Sequence, residues 1–234
     1  MSNIKKYVPD PVRDIRLLTS GDLSETQFFD MLEDKTQPIK EFFSYYKCAI
    51  MEIETKFRVL NEQFSLSGEN NPIEFIQSRI KSYSSIFHKL EAKGLPITIE
   101  TMDENLYDIA GVRVVCSFID DIYRLADCFL RQDDIFLIQK KDYIAEPKEN
   151  GYRSLHLIVA VPIFLENEKR LTKVEVQLRT IAMDFWASLE HKLRYKKELP
   201  QEKLDMLKVD LKSCADDSAR WDRKMQEIRE YLDE

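Results

Sequence analysis

Two carboxylates occupy positions where they could do chemistry. Asp108 precedes the apolar run IAGVRVVC, and Glu175 alternates with Val174 and Val176 in KVEVQLRT. A carboxylate flanked by valines either faces solvent on an open sheet face or pairs with a cation, because burying an unpaired charge is costly. For one such residue, an exposed strand position is the simpler explanation. Two of them on separate strands make a shared Mg²⁺ ion competitive, since Mg²⁺ takes one or two protein carboxylates and completes its shell with substrate phosphates.

Basic side chains in one segment could complement these acids. The segment SRIKSYSSIFHKL is predicted to belong to a helix that begins at Asn71-Pro72, because proline is tolerated in the first helical turn, and that ends before Gly94. Residues four apart lie on one helix face, which would align several polar side chains. The candidates are Arg79, Lys81, Ser85 and Lys89, of which the last three share that face. Taken by themselves, these residues are explained more simply by a solvated helix face.

A third group of candidates surrounds a loop glycine. Only five glycines occur in the chain, and Gly151 is followed by Tyr152 and Arg153 and then, as a strand begins, by His156. A tyrosine directly after a loop glycine is placed to stack on a base. Arg113, which interrupts the run AGVRVVC, needs an anionic or stacking partner if it is buried. Together these groups describe Mg²⁺, a polyphosphate and a purine.

Several other kinds of site are excluded by what the sequence lacks. GxxxxGK[ST], GxGxxG and GxSxG do not occur, and the three histidines are far apart, which argues against a P-loop, a Rossmann turn and a zinc site. The formal charge of −7 argues against binding to duplex nucleic acid. Four scattered cysteines without a CxxC pair, and no apolar run near the about 20 residues of a membrane helix, predict a cytoplasmic protein with reduced thiols.

The hydrophobic pattern predicts an α/β core with long helices on both sides of it in the sequence. A helix is predicted over residues 38–64, and a capping box at Ser24 and Gln27 predicts a shorter helix before it. Residues 97–182 alternate between strand and helix patterns, which indicates a mixed sheet. The last helix repeats apolar or small residues at heptad spacing from Leu204 to Leu232. This row either packs back on the core or forms an oligomer interface.

Four ordered motifs carry a resemblance to a known family. They are YDIAGVRVVCSFIDDIY, KDYIAEPKENGYRSLH, VEVQLRT and AMDFWASLEHKLRYK. From about Asn71 to Lys197 the chain resembles the synthetase domain of RelA/SpoT-type alarmone synthetases, and in particular the small, stand-alone members. The resemblance implies an α+β fold, a nucleotidyltransferase-like mixed sheet flanked by helices. It implies a GTP diphosphokinase that transfers pyrophosphate from ATP to the 3′-hydroxyl of GDP or GTP, giving AMP and (p)ppGpp, with no hydrolase activity.

The resemblance also implies a role for each candidate residue. Asp108 and Glu175 would hold Mg²⁺, and Glu175 would draw the proton from the attacking hydroxyl. Arg79, Lys81, Ser85, Lys89 and Arg113 would bind ATP. Tyr152, Lys148, Arg153, His156, Gln177, Lys141 and Asp184 would bind GDP or GTP. Asp184 stands where many relatives have asparagine, so that its contact with guanine is less well supported by the resemblance.

The implied organisation has four segments and a shared assembly. They are a flexible arm over residues 1–22, helices over 23–70, the synthetase domain over 71–197 and the heptad helix over 198–234. The small synthetases form homotetramers through their terminal helices, which favours the interface interpretation of the last helix. No membrane, DNA or ribosome partner is implied. The alternatives are another nucleotidyltransferase, or a nucleotide- or RNA-binding regulator that has lost activity.

Overall fold

The structure, a computed structural model, describes residues 37–66, 71–194 and 201–233. The predicted arm over residues 1–22 and the capping box at Ser24 and Gln27 lie outside the described residues. The described part contains five strands and six helices. The helices are α1 (Gln37–Leu66), α2 (Tyr83–Ala92), α3 (Ile99–Asn105), α4 (Ile119–Leu130), α5 (Ile181–Arg194) and α6 (Gln201–Asp233). The strands are β1 (Ile73–Ile80), β2 (Ala110–Cys116), β3 (Phe136–Asp142), β4 (Leu155–Phe164) and β5 (Lys169–Thr180).

The five strands form one mixed sheet in the order β1-β2-β5-β4-β3. The central pair β2 and β5 is parallel, whereas the other three pairs are antiparallel. The sheet therefore confirms the predicted α+β class. It also confirms the predicted alternation of strands and helices over residues 97–182, where α4 connects β2 to β3.

The prediction of a helix starting at Asn71-Pro72 is wrong. Residues 73–80 form the edge strand β1, and α2 begins only at Tyr83, after Ser82 accepts a hydrogen bond from the backbone N–H of Ser85. Ile76, Ser78 and Ile80 are half-buried while the residues between them are exposed, which is the two-residue period of a strand. The segment IEFIQSRI is rich in β-branched isoleucine, which favours this outcome. Arg79 therefore lies on a strand and Lys81 in the connection to α2.

One face of the sheet is apolar and carries the core. Val112 and Val114 of β2, Val176 of β5 and Leu157 of β4 are all buried on it. The long helix α1 packs across β1, β2, β4 and β5, and α4 packs against β2 and β5. These two helices cover the apolar side chains, so that the core lies between them and the sheet. None of the described helices has the length and apolar character needed to cross a bilayer.

The opposite face of the sheet is polar. Side chains of alternating residues lie on one face of a strand, and the strand register aligns four such rows. Arg79 is paired with Gly111, Gly111 with Glu175 and Glu175 with Ile158, while Gln177 is paired with His156. A sheet face that exposes arginine, glutamate, glutamine and histidine is not covered by a core helix. This face is therefore where a ligand can reach the sheet.

The last helix, α6, is docked on the body of the protein by polar contacts. Trp186 Nε1 of α5 donates to the carbonyl oxygen of Leu211 at 2.8 Å, and Ser218 Oγ donates to the carbonyl oxygen of Ala182 at 3.0 Å. Thr180 Oγ1 donates to Asp222 Oδ2 at 2.6 Å. The docked row consists of the buried residues Leu211, Ala215, Ser218, Ala219 and Asp222.

The heptad row predicted for α6 is split between two faces in the structure. Leu211 and Ser218 face the body, whereas Trp221, which is 62% exposed, and Met225 and Ile228 are on the surface. Small residues such as Ala215 and Ala219 let α6 approach closely, and a pattern based on large apolar residues does not detect them. Docking on the core thus accounts for one face of α6 and leaves an exposed apolar row on another.

We predict that the docking of α6 responds to pH through Asp222. Burial raises the pKa of this carboxyl, although the Thr180 hydrogen bond and the charges of Arg153 and Arg223 oppose the shift. A raised pKa in the folded state means that the ionised form is penalised there, and the penalty disappears as the pH falls through the folded pKa. The free energy of unfolding of the wild type, relative to the Asp222→Asn variant, should therefore rise as the pH is lowered from neutral to about 4.

Urea unfolding at several pH values measures this difference. The control is Asp216→Asn on the same helix, because the hydrogen bond from Lys212 lowers the pKa of the solvent-facing Asp216 carboxyl. Its relative stability should change in the opposite sense, since the ion pair is lost on acidification. The assignment would be contradicted if the free energy of unfolding of the wild type, minus that of Asp222→Asn, decreased as the pH was lowered.

Candidate active site

Two cavities lie side by side on the polar face of the sheet, and Glu175 is in the wall of both. The first, of about 240 Å³, is lined by Gln77, Ser78, Arg79, Gly111, Val112, Arg113, Glu175 and Gln177. The second, of about 200 Å³, is lined by Gln139, Lys141, Tyr143, Lys148, His156, Ile158 and Glu175. We call them the arginine cavity and the tyrosine cavity. Because one carboxylate borders both, groups bound in the two cavities would meet at Glu175.

Asp108 lies just before β2 and is held by two lysines. Lys81 Nζ and Lys89 Nζ both donate to Asp108 Oδ2, at 2.6 Å and 2.8 Å. Burial acts to raise the pKa of the Asp108 carboxyl, but the hydrogen bonds and charges of the two lysines outweigh it and the pKa is lowered. The other oxygen, Oδ1, is buried and has no hydrogen-bond partner among the described residues. Asp108 is therefore ionised and has one oxygen available for a ligand.

Glu175 is held by its neighbours on the polar face. His156 Nδ1 lies 3.2 Å from Glu175 Oε1, and Gln177 Nε2 donates to Oε2 at 2.8 Å. Burial acts to raise the pKa of the Glu175 carboxyl, but His156 and the hydrogen bond from Gln177 outweigh it, and the net pKa is lowered. The negative charge of Asp108 acts on Glu175 in the opposite direction, toward a higher pKa. Both Asp108 and Glu175 are therefore ionised.

The tyrosine cavity is bordered by an aromatic cluster. The rings of Tyr143 and Tyr152 are 5.9 Å apart in an edge-to-face arrangement, and His156 packs edge-on against both. Lys148 Nζ lies 4.6 Å from the Tyr143 ring centroid and 5.0 Å from that of Tyr152. A cation over an aromatic face is attracted by the ring quadrupole, and the same face can accept a base.

A buried arginine connects the two cavities. Arg179 Nη1 donates to Asp184 Oδ1 at 3.0 Å, and Arg179 Nη2 donates to the Tyr152 hydroxyl at 2.7 Å. Arg113 Nη1 of the arginine cavity lies 3.1 Å from the same Asp184 oxygen. Sequence reasoning did not single out Arg179. The available signal was its position, since it follows Glu175 and Gln177 at a two-residue interval in the same strand.

The comparison with known proteins decides the family. Residues 78–199 match the family model described as "Region found in RelA / SpoT proteins". The chain belongs to this RelA/SpoT family.

Relatives of similar length support this family membership. The chain is 44% identical over 214 residues to the GTP pyrophosphokinase YwaC of Bacillus subtilis strain 168, which covers 91% of this chain and all of that protein. It is 36% identical over 198 residues to the GTP pyrophosphokinase YjbM of the same organism, covering 83% of this chain and 90% of YjbM. The crystal structure of the small alarmone synthetase 1 from Bacillus subtilis bound to its product pppGpp superposes with a TM-score of 0.76 at 34% identity, covering 85% of this chain and all of that chain. The predicted α+β fold of the alarmone synthetases is thereby confirmed.

The structure of this RelA/SpoT-family chain places seven of the fourteen predicted site residues, Glu175 among them, in the walls of the two cavities. Arg79, Arg113 and Gln177 line the arginine cavity, and Lys141, Lys148 and His156 line the tyrosine cavity. Gln177, which the resemblance assigns to the GDP or GTP side, thus borders the arginine cavity and contacts Glu175 between the two.

Two predicted site residues contact other partners. Ser85 is in the first turn of α2, where its hydroxyl lies 2.8 Å from that of Ser82. Arg153 Nη1 donates to the carbonyl oxygen of Ala215 on α6 at 3.3 Å and lines a separate small cavity against that helix. Their assignment to nucleotide binding stays a prediction.

Gly151 is required by its backbone and by its neighbour on α6. Its φ of +86° is in the left-handed region, which side chains disfavour. A Cβ atom at this position would lie 2.4 Å from Ala215 Cβ and 3.2 Å from Lys212 Cδ. The loop that carries Tyr152 therefore packs directly against α6. A glycine is needed here for its positive φ and also for this close contact, which the sequence alone does not reveal.

We predict that Gly151→Ala destabilises the protein more than Gly94→Ala does. Gly94 also has a positive φ, of +64°, but a Cβ atom there would meet nothing within 4 Å. Both variants carry the left-handed penalty of about 1–2 kcal/mol. Gly151→Ala adds overpacking against Ala215, for which about 1–3 kcal/mol is expected. Urea unfolding of the two variants measures the difference, and equal losses of stability would contradict the close contact.

Proposed function

We propose that this chain is a GTP pyrophosphokinase that transfers the pyrophosphate group of ATP to the 3′-hydroxyl of GDP or GTP, giving AMP and ppGpp or pppGpp. The observation that carries the proposal is the position of Glu175 between two cavities, one bordered by Arg79 and Arg113 and the other by Tyr143 and two lysines. A transfer between two nucleotides needs two adjacent binding sites, with a proton-accepting side chain where the two sites meet. The names of the relatives and the product bound to the superposed structure support the same reaction.

We assign the arginine cavity and the lysines beside it to ATP. Arg113 offers a planar guanidinium to the adenine, and Arg79, Lys81, Ser85 and Lys89 offer positive charge and hydrogen bonds to the triphosphate. Lys81 and Lys89 are held close to one another by their shared partner Asp108. Phosphate oxygens can replace that carboxylate as their partner, so that the lysines are already gathered where the phosphates would bind.

We assign the tyrosine cavity to the acceptor nucleotide. Tyr152 would stack on the guanine, after Lys148 leaves its position near the ring for the acceptor phosphates. Lys141 adds positive charge on that side, and His156, Gln177 and Asp184 complete the polar surroundings. Arg153, which contacts α6, would have to leave Ala215 to reach the same nucleotide.

In the proposed reaction the protein positions the two nucleotides and supplies one proton acceptor. The 3′-oxygen of the acceptor forms a bond to the β-phosphorus of ATP, and the bond from that phosphorus to the oxygen it shares with the α-phosphate breaks, so AMP leaves. Glu175 takes the proton of the 3′-hydroxyl. A carboxylate with a lowered pKa is a weak base, so its contribution depends on being within hydrogen-bond reach and ionised, which His156 and Gln177 ensure.

We propose that Asp108 and Glu175 hold a Mg²⁺ ion. Among residues 37–66, 71–194 and 201–233, no group of three or more His, Cys, Asp or Glu side chains could hold a metal, so the protein would supply these two carboxylates and phosphates the remaining ligands. Asp108 Oδ1, which is buried and has no hydrogen-bond partner in the part of the chain that the structure describes, is a suitable ligand atom. Such an ion neutralises charge on the transferred phosphates when bound.

We further propose a cytoplasmic homotetramer that associates through the terminal helices. The exposed apolar row of α6, formed by Trp221, Met225, Ile228 and Leu232, has the three- and four-residue spacing of a helix-packing seam. Large exposed apolar side chains at that spacing are typical of an association surface. The segments proposed above, with the synthetase domain over residues 71–197 and the association helix over 198–234, follow this division.

We predict that the wild type, incubated with γ-labelled ATP, Mg²⁺ and GDP or GTP, releases AMP and labels the guanine nucleotide. Glu175→Gln should fold normally and lose the reaction by about 10²–10⁴-fold in kcat, because the amide cannot accept the proton. Thin-layer separation of the products gives both results.

The control variant for Glu175→Gln is Glu74→Gln. Glu74 is also a strand glutamate that accepts a hydrogen bond, from Ser117 Oγ at 2.6 Å, but it lies outside both cavities. It should retain wild-type activity. Release of free pyrophosphate by the wild type would instead indicate adenylyl transfer, no turnover would indicate a nucleotide-binding regulator, and full activity of Glu175→Gln would remove Glu175 from catalysis.

Tyr152→Ala should raise KM for the guanine nucleotide about tenfold or more, because stacking on an aromatic ring contributes about 1–3 kcal/mol per base. KM for ATP should change much less, and it serves as the internal control in the same steady-state experiment. An equal rise of the two KM values would rule out the stacking role.

A further inference from the structure

Arg179 is a buried cation that donates hydrogen bonds to three of the predicted site residues. Its side chain is only 5% exposed, and its guanidinium donates to Asp184 Oδ1, to Gln177 Oε1 at 3.1 Å and to the Tyr152 hydroxyl. The guanidinium carbon is 5.2 Å from the Tyr152 ring centroid. A buried arginine needs an anionic partner, and Asp184 provides it. The bonds to Gln177 and Tyr152 go beyond that requirement.

The charge of Arg179 gives a direction to a row of hydrogen bonds that ends at Glu175. Arginine can only donate, so the Tyr152 oxygen accepts from it and the Tyr152 O–H is available for His156 Nε2, 2.8 Å away. In a neutral imidazole that accepts at Nε2, the hydrogen is on Nδ1, and Nδ1 faces Glu175 Oε1 at 3.2 Å. Every donor in the row from Arg179 to Glu175 then points the same way.

The other side of Arg179 reaches the arginine cavity. Asp184 Oδ1 is shared by Arg179 and Arg113, at 3.0 Å and 3.1 Å. If Arg179 were only the counter-ion of Asp184, the carboxylate would already have a partner in Arg113. Arg179 Nε is buried without a hydrogen-bond partner among the described residues, which makes the side chain a costly choice for stability alone.

We propose that Arg179 is a positioning residue for the acceptor site. It holds the Tyr152 hydroxyl, and through it the ring that stacks on the guanine and the His156 side chain beside Glu175. Asp184 in turn fixes Arg179 relative to Arg113 on the ATP side. This inference rests on the proposed function, because Tyr152 and Glu175 have their acceptor and base roles only there.

A double-mutant cycle between Arg179→Lys and Tyr152→Phe tests this positioning role. Lysine keeps the charge but cannot donate to Asp184, Gln177 and Tyr152 at once, and phenylalanine keeps the ring but removes the hydroxyl. Each single variant should raise KM for GDP or GTP about tenfold, the effect of one charge-assisted hydrogen bond. In the Tyr152→Phe background, Arg179→Lys should add less than about twofold, because both changes remove the same bond.

The matched control is Arg170→Lys. Arg170 is on the same strand, pairs with Asp103 at 3.0 Å and lies 4.5 Å from the Tyr45 ring centroid, but it borders neither cavity. It should leave both KM values unchanged. Circular dichroism and urea unfolding of every variant report folding separately from the kinetic effect.

The outcomes separate this inference from the proposed function. A wild type that makes no 3′-pyrophosphorylated guanine nucleotide overturns both. If the wild type is active but the effects of Arg179→Lys and Tyr152→Phe on KM for the guanine nucleotide multiply, only the role of Arg179 is overturned. The same holds if Arg179→Lys has wild-type kinetics. If Arg179→Lys does not fold, Tyr152→Phe still decides, since it removes the same bond without disturbing the buried charge: a tenfold higher KM for the guanine nucleotide supports the inference and an unchanged one overturns it.

Discussion

The parallel pairing of β2 with β5 is the constraint on which the site depends. It aligns Gly111 with Glu175 and Arg113 with Gln177. Arg113 of β2 therefore lies on the same face as the acid and the amide of β5. The outer strands extend the same face, with Arg79 on β1 and His156 on β4. A shift of β5 by one residue in this register would move Glu175 and Gln177 to the face covered by α1. The apolar residues between them prevent the shift, and core packing thus fixes the geometry of the charges.

Ion pairs hold the charged side chains of the polar face in place. Asp108 is matched by Lys81 and Lys89, and Asp184 by Arg113 and Arg179. Each acid keeps two cations close that would otherwise repel one another. An anionic ligand that binds to this face meets cations that are already close together. Its binding therefore requires less ordering of side chains.

The sequence predicted the parts of the site that alternation and motifs can reveal. Asp108 before β2, Glu175 between two valines and Tyr152 after Gly151 were all identified from local pattern, and the strands that carry them follow from apolar runs of clear length. The segment IEFIQSRI was misread because Ile76 and Ile80 are four residues apart, which fits one turn of helix as well as two steps of a strand. Only pairing with β2 decides between the two.

Arg179 and the docked face of α6 could not be predicted in the same way. The importance of Arg179 comes from contacts with Tyr152 and Asp184, which lie in different parts of the chain and meet only in the fold. The docked face of α6 relies on alanines and on hydrogen bonds to backbone oxygens, and neither has a hydrophobic signature.

The contact between Gly151 and Ala215 joins two distant stretches of sequence. Neither position can accept a larger side chain while the other stays as it is, because the backbone of the loop lies directly against the helix. Among homologous chains the two sites should vary jointly or not at all, even though more than sixty residues separate them in the sequence. The last helix therefore shapes the loop that carries Tyr152 from outside the matched family region.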